Sequence, residues 1–214
     1  MILLLIGVAI TLWASYNIKA TFKKYSQLRY SKNATAEVVA NWILKQNGIT
    51  NVRIERIPGS LTDHYDPTQK VLRLYGSVSM AAIGVAAHEC GHAIQDNIAY
   101  QPLVTRRKLV PIANIGSTIS YPVILLGIIF GATGLLNIGI ILFSAVVVFQ
   151  LVTLPVEFDA SKRACAILEG SNRFSPTETE AVKKVLSAAA MTYLASALNS
   201  ILQLMRLLNI ARRR

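Results

Sequence analysis

The chain alternates long stretches that lack any charged side chain with shorter polar ones. Met1–Ile18 contains no Asp, Glu, Lys or Arg, and neither does Leu109–Val156. A helix needs about 20 apolar residues to cross the hydrocarbon of a bilayer. The first stretch suits one crossing. The second is too long for one and suits two, roughly 112–131 and 135–154, joined at Gly131-Ala-Thr-Gly-Leu-Leu-Asn137, where turn-forming residues gather. A buried hairpin in a soluble core would still show a polar face, and these runs show none. Val185–Met205 is a fourth uncharged stretch, less apolar and rich in small residues such as Ala188, Ala189, Ala190 and Ala197. Ser175-Pro176-Thr177-Glu178 ahead of it has the order of a helix start, so one helix is expected over about 176–209, either crossing the bilayer or lying along it.

Residues 33–108 have a different rhythm. Asn33-Ala-Thr35 can cap a helix that carries Val38, Val39, Trp42 and Ile43 and ends before Gly48. Thr50–Ile57 and Lys70–Tyr75 are strand-like runs, the first alternating Val52 and Ile54 with Arg53 and Glu55, and Pro58-Gly59 and Asp66-Pro67 punctuate the loop between them. Ser77-Val-Ser79 then opens a helix that continues through Asn97. The expected order is helix, β-hairpin, helix.

Composition sharpens the picture. Of 214 residues, 53% are hydrophobic and only 15% charged, against about a quarter in ordinary soluble domains. That excludes a disordered chain, and two cysteines exclude a disulfide scaffold. The formal net charge of +11 fits either nucleic acid or membrane flanks. The cations gather beside the apolar runs: Lys19, Lys23, Lys24, Arg29 and Lys32 after the first, Arg106, Arg107 and Lys108 before the second. No nucleic-acid-binding motif accompanies them, so the expected partner is a lipid bilayer and not nucleic acid. A secretory signal carries its cations before the apolar stretch, whereas here they follow it. Met1–Ile18 therefore reads as an uncleaved anchor with its N-terminus outside and Lys19 onward in the cytoplasm.

The helix over 79–97 carries His88-Glu89-Cys90-Gly91-His92, an H-E-x-x-H motif. Histidines at i and i+4 lie one above the other on a helix face, so both imidazoles can reach one metal ion. Glu89 can take a proton from a water activated by zinc, which brings the pKa of water toward 7. Gly91 inside a helix costs about 1 kcal/mol relative to Ala and suggests the close approach of another backbone. A catalytic zinc takes a third protein ligand. The available groups are His64, Glu157 and Asp159, of which the two acids differ by about 200° in direction if helical. Cys90 and Cys165 are expected to be reduced thiols, with Cys90 on a different helix face from the two histidines.

Ala86-Ala-His-Glu-Cys-Gly-His-Ala-Ile-Gln95, Leu61-Thr-Asp-His-Tyr-Asp-Pro67, Leu154-Pro-Val-Glu-Phe-Asp-Ala-Ser161 and Ala188-Ala-Ala-Met-Thr-Tyr193 together resemble the YugP-type neutral zinc metallopeptidases of bacterial membranes, over nearly the whole chain. The chain is more distantly similar to membrane gluzincins such as HtpX, in which a transmembrane hairpin separates H-E-x-x-H from an E-x-x-A-D motif. The resemblance implies Glu157 as third ligand, since Glu157-Phe-Asp-Ala160 matches E-x-x-A. Ser161 stands where that Asp would be, which leaves Asp159 or Ser161 to accept the outer N–H of a ligating histidine. His64, Tyr65 or Arg163 are candidates to stabilise the oxyanion or contact substrate.

The expectation is thus a mainly α membrane protein with a small α+β zincin-like module. Its segments are an anchor over 1–18, a catalytic module over 19–108, a transmembrane hairpin over 109–156, a third-ligand segment and linker over 157–180, and a small-residue-rich helix over 181–214. The expected function is a zinc endopeptidase holding one Zn²⁺ per chain in the bacterial plasma membrane, with a cytoplasmic catalytic face near the membrane surface and peptide or membrane-protein substrates. Strand Lys70–Tyr75 is expected to bind substrate by edge pairing. A scaffold with a structural zinc is the alternative, disfavoured because such a site needs no Glu89. A transporter is disfavoured by the lack of ionisable groups in the apolar runs.

Overall fold

A computed structural model describes residues 2–213. Six helices and three strands follow in the order α1 (Ile2–Ser26), α2 (Ala36–Gln46), β1 (Arg53–Ile57), β2 (His64–Asp66), β3 (Val71–Tyr75), α3 (Met80–Asn97), α4 (Gln101–Ile129), α5 (Thr133–Gly170) and α6 (Pro176–Arg212). The protein is mainly helical with one small sheet. Its residues divide into two compact units.

The first unit comprises the residues up to Ala14, Gln101–Pro155 and those from Thr192 on. It is built from parts of α1, α4, α5 and α6, four helices long and apolar enough to cross a membrane. Ile124, Leu136, Ile140, Phe143, Val147 and Leu207 form its core. Large apolar side chains also point outward along every helix, among them Leu12, Ile119, Ile141 and Leu208. The α4–α5 packing is close: a Cβ on Gly127 would lie 2.6 Å from the backbone nitrogen of Leu136, so only glycine fits there. Pro111 and Pro122 stand inside α4, which begins at Gln101 and so carries Arg106, Arg107 and Lys108 within the helix.

The second unit comprises Ser15–Tyr100 and Val156–Met191. Its core joins Val39, Ile43 and Leu44 of α2, Leu72 and Leu74 of β3, Met80, Ile83 and Ala87 of α3, Leu168 of α5, and Val182 and Leu186 of α6. Helix starts follow their sequence signals in two of three cases. Ser79 Oγ accepts from Ala82 N. Ser175 and Glu178 form a reciprocal capping box, Glu178 N donating to Ser175 Oγ and Ser175 N to Glu178 Oε2. Glu178 Oε1 also accepts from Ser31 N at 2.7 Å, tying the start of α6 to the segment after α1. Thr35 occupies the N-cap of α2 but makes no side-chain cap bond.

The expected β-hairpin is not formed. The sheet order is β1-β3-β2, with β1 parallel to β3 and β2 antiparallel to it. The segment between Ile57 and Val71 is too long for a tight hairpin. It carries the chain past β3, adds His64–Asp66 as a third strand, and returns through a turn in which Asp66 Oδ1 accepts from Thr68 N and Gln69 N. The expected edge pairing of substrate along Lys70–Tyr75 is overturned for the same reason: β3 is the central strand, hydrogen-bonded on both sides, and the edges are β1 and β2.

Candidate metal centre

Helix α3 is almost wholly buried, and small residues let its neighbours come close. His88 and His92 face α5 one turn apart, their ring centroids separated by 4.7 Å and their planes at 80°. Gly91 lies between them. A Cβ there would stand 2.6 Å from Ala160 O and 3.0 Å from Ala160 Cα, so the backbones of α3 and α5 touch at this point. One turn before Ala160, Glu157 reaches both histidines: its Oε2 lies 3.2 Å from His88 Nε2 and 3.4 Å from His92 Nε2. Glu157 is 2% exposed and sits inside the continuous helix α5, not in a segment following it.

The outer nitrogens of both rings are engaged. His88 Nδ1 lies 3.0 Å from Ser161 Oγ. His92 Nδ1 lies 3.0 Å from Gln95 Oε1. Gln95 is fully buried, and its Nε2 donates to Val156 O and to Asp159 Oδ2, both at 2.8 Å. Those two acceptors fix the amide orientation, so Oε1 must accept and His92 Nδ1 must carry the hydrogen. The Nε2 lone pair of His92 is thereby turned toward Glu157. Arg163 Nε donates to Asp159 Oδ2 at 2.6 Å, and its guanidinium lies over the Tyr100 ring.

Glu89 points to β2, where its Oε2 accepts from the main-chain N–H of Tyr65 at 2.9 Å. The Tyr65 hydroxyl donates to Asp96 Oδ2 at 2.7 Å and Lys70 Nζ donates to the same oxygen at 2.5 Å, so β2 is pinned to α3 beside Glu89. Asp63 accepts from Tyr75 N at 2.7 Å; burial, with Glu89 adding, raises its carboxyl above the ordinary value. Burial disfavours a charged imidazole at His92. The Glu157 carboxylate hydrogen-bonded to it, with Glu89 adding, more than offsets this and raises its pKa.

The predicted residues thus divide. His88, His92 and Glu157 converge, Ser161 reaches His88, and Asp159 reaches His92 only through Gln95. Tyr65 meets Glu89 through its backbone while its phenol turns to Asp96. His64 lies in β2 and not in a loop; it is exposed, with Nδ1 3.0 Å from Thr62 O and Nε2 3.4 Å from Arg73. Arg163 is paired with Asp159. Cys90 is buried in the core with its Sγ 3.7 Å from Ala40 O, and burial pushes its thiol far up. Gln95 was not singled out by the motif. Its signal is a lone amide three residues beyond His92 on the same helix, within side-chain reach.

Three donor atoms, one from each of His88, His92 and Glu157, lie within 4.8 Å of one another. Zinc–nitrogen and zinc–oxygen bonds of about 2.0–2.2 Å place tetrahedral ligands roughly 3.3–3.6 Å apart. The observed 3.2 and 3.4 Å separations fit that edge. Two neutral imidazoles and a carboxylate are also a suitable donor set for zinc.

A family model described as "Putative neutral zinc metallopeptidase" matches residues 1–212. The chain is 44% identical over 208 residues to the "Putative membrane protease YugP" of Bacillus subtilis (strain 168), covering 95% of this chain and 92% of that protein. No solved structure matches it significantly. The chain belongs to the neutral zinc metallopeptidase family that this model describes.

Proposed function

We propose that this protein is a membrane-spanning zinc endopeptidase of the gluzincin type, with its catalytic residues on the cytoplasmic side of the bacterial plasma membrane and peptide or membrane-protein segments as substrates. The observation that carries the reading is the meeting of His88, His92 and Glu157 around one point, with Glu89 adjacent in sequence to His88.

His88, His92 and Glu157 would hold the ion, one per chain. The chemistry such an ion would supply when bound is Lewis acidity, which would polarise a substrate carbonyl and lower the pKa of water toward neutrality. Glu89 accepts the proton that the attacking water gives up and passes it to the leaving amine nitrogen, completing hydrolysis of the peptide bond. The Tyr65 N–H bond holds the Glu89 carboxylate in one orientation, which reduces the reorganisation that proton transfer requires. A structural zinc would call for four protein ligands, and three converge among the described residues, which favours catalysis over a scaffold.

The membrane reading rests on the outward apolar side chains of the first unit and on charge. α1 packs its first turn beside the last turns of α6, since Ile2 and Leu3 share a cavity with Arg206 and Ile210. That supports a crossing α6 whose C-terminal end lies on the same side as the start of α1. Most cations flank the opposite ends of the apolar runs, which supports a cytoplasmic location for 20–108 and 155–180. Cysteines engineered at Lys32 and Arg173 should both be protected from an impermeant reagent added to intact cells. Labelling of one alone would refute the arrangement.

The direct test of the chemistry is Glu89→Gln. Zinc content and fold should persist while proteolysis falls by at least about 10²-fold. A fully active Glu89→Gln protein would rule the mechanism out.

A further inference from the structure

Near its C-terminal end, α6 turns a cationic face to the first turn of α1. Arg206, Asn209 and Ile210 are spaced i, i+3, i+4, hence on one side of the helix, and Arg213 follows one residue past its end in a turn whose N–H donates to Ile210 O. With Ile2 and Leu3 they line a cavity of about 410 Å³. Its walls are of two kinds: two guanidinium groups and an amide on one hand, three branched aliphatic side chains on the other.

Among the described residues these arginines have no Asp or Glu side chain to pair with in their unit. All 11 Asp+Glu of the chain lie between Glu37 and Glu180, and none falls in the segments that build the apolar unit. Arg206 is half-buried, and its Nη1 donates to a neutral group, Gln203 Oε1, at 3.3 Å. A guanidinium held against apolar surface without a counter-charge is costly, and a phosphate relieves that cost through charge and its match to the planar fork.

Depth along α1 identifies the phosphate. The uncharged run Met1–Ile18 would extend about 27 Å as a helix, close to the roughly 30 Å of bilayer hydrocarbon. Ile2 and Leu3 therefore mark one boundary and Lys19 the other. On the membrane reading proposed above, the cavity lies at headgroup depth in the leaflet away from the cytoplasm. Cations are depleted on that side, so Arg206 and Arg213 are not explained as topology signals. We propose that Arg206, Asn209 and Arg213 bind the phosphodiester of an anionic phospholipid, with its acyl chains lying against Ile2, Leu3 and Ile210. The cavity is of ligand size, and its apolar wall offers nothing to a bare phosphate ion.

The test is thermal unfolding of the full chain in uncharged detergent, titrated with phosphatidylglycerol, phosphatidylcholine or inorganic phosphate. Phosphatidylglycerol should raise the unfolding midpoint, while phosphatidylcholine and inorganic phosphate should not. Apparent affinity for phosphatidylglycerol should fall about fivefold in Arg206→Gln and again when Arg213→Gln is added. Lys184→Gln, which removes the same charge from an exposed pair with Glu180, should retain the full shift. Equal shifts with both lipids, or a phosphatidylglycerol shift that survives the double substitution, would overturn the proposal. Stabilisation by inorganic phosphate would assign the site to a free anion and overturn it as well. Should Arg206→Gln fail to fold, Arg213→Gln alone carries the same fivefold expectation, because Arg213 is exposed. The readout is unfolding and not proteolysis, so failure here leaves the peptidase reading standing, and loss of that reading leaves this result interpretable.

Discussion

Gln95 Oε1 lies 3.0 Å from His92 Nδ1, and the same Gln95 amide donates to Asp159 across the helix pair. One buried side chain therefore fixes which nitrogen of His92 carries the proton and links that histidine to α5. Gln95→Leu should weaken zinc binding about 10–100-fold, the usual cost of losing a partner behind a ligating histidine. Ser161→Ala should do the same through His88. Competition with a chromogenic chelator measures both. Unchanged affinity in Gln95→Leu would mean that His92 needs no such support.

The third ligand can be identified by metal content after dialysis. Glu157→Ala should lose zinc, since no other carboxylate meets the two histidines among the described residues. Asp159→Ala should show a smaller loss, transmitted through Gln95. His64→Ala should retain its zinc, because its ring is turned to Thr62 and Arg73. A His64→Ala protein without metal, beside a loaded Glu157→Ala protein, would reverse the assignment.

Gly91→Ala tests the contact between α3 and α5. Alanine gains about 1 kcal/mol of helix propensity over glycine. Overpacking costs about 1–3 kcal/mol, and here the obstruction is the backbone of Ala160, which no rotamer change can clear. The available relief is a shift of α5, which moves Glu157 off the histidines. Zinc occupancy should fall by more than thermal stability does. Full occupancy with unchanged melting would show that the close approach is dispensable.

Protons and zinc compete for the same ring nitrogens, so the stabilisation that zinc gives should depend on pH. In the metal-free protein the pKa of His92 is raised, chiefly by Glu157 against the effect of burial. A raised folded-state pKa contributes stability that is fully present below the unfolded value of about 6.5 and fades as pH rises through the folded value. The metal-free protein loses that contribution on the alkaline side, where zinc binds best. The gap between the unfolding midpoints of zinc-loaded and zinc-free protein should widen from about pH 6 to pH 8. A constant gap across that range would contradict the coupling.

The helices were legible because their signals are local. The uncharged runs, Ser79, and the Ser175–Glu178 box each act within a few residues, and Gly91 announced a neighbouring backbone that Ala160 supplies. Strand partnership was not legible. Which side of β1 receives β3 depends on the path of 58–70, and Tyr65 and Asp66 carry no mark that they will pair with Leu72 and Val71. The histidines of the centre follow from spacing alone, whereas Glu157 needed the family resemblance to separate it from Asp159 and His64. Gln95 escaped because its role comes from Asp159 and Val156, both more than 60 positions away, and not from the motif containing its histidine.

That separation also sets an order of events during synthesis. Glu157 follows His88 by 69 positions. At roughly 5–20 residues per second, a ribosome needs about 3–14 s to deliver the carboxylate after the first imidazole. Until then the nascent chain has His88 and His92 without the carboxylate that meets them in the fold. The final stretch of α5 and the start of α6, which supply Leu168, Val182 and Leu186 to the core, come later still. The proposed three-residue site can thus close only after Glu157 has been made, a delay written into the connectivity.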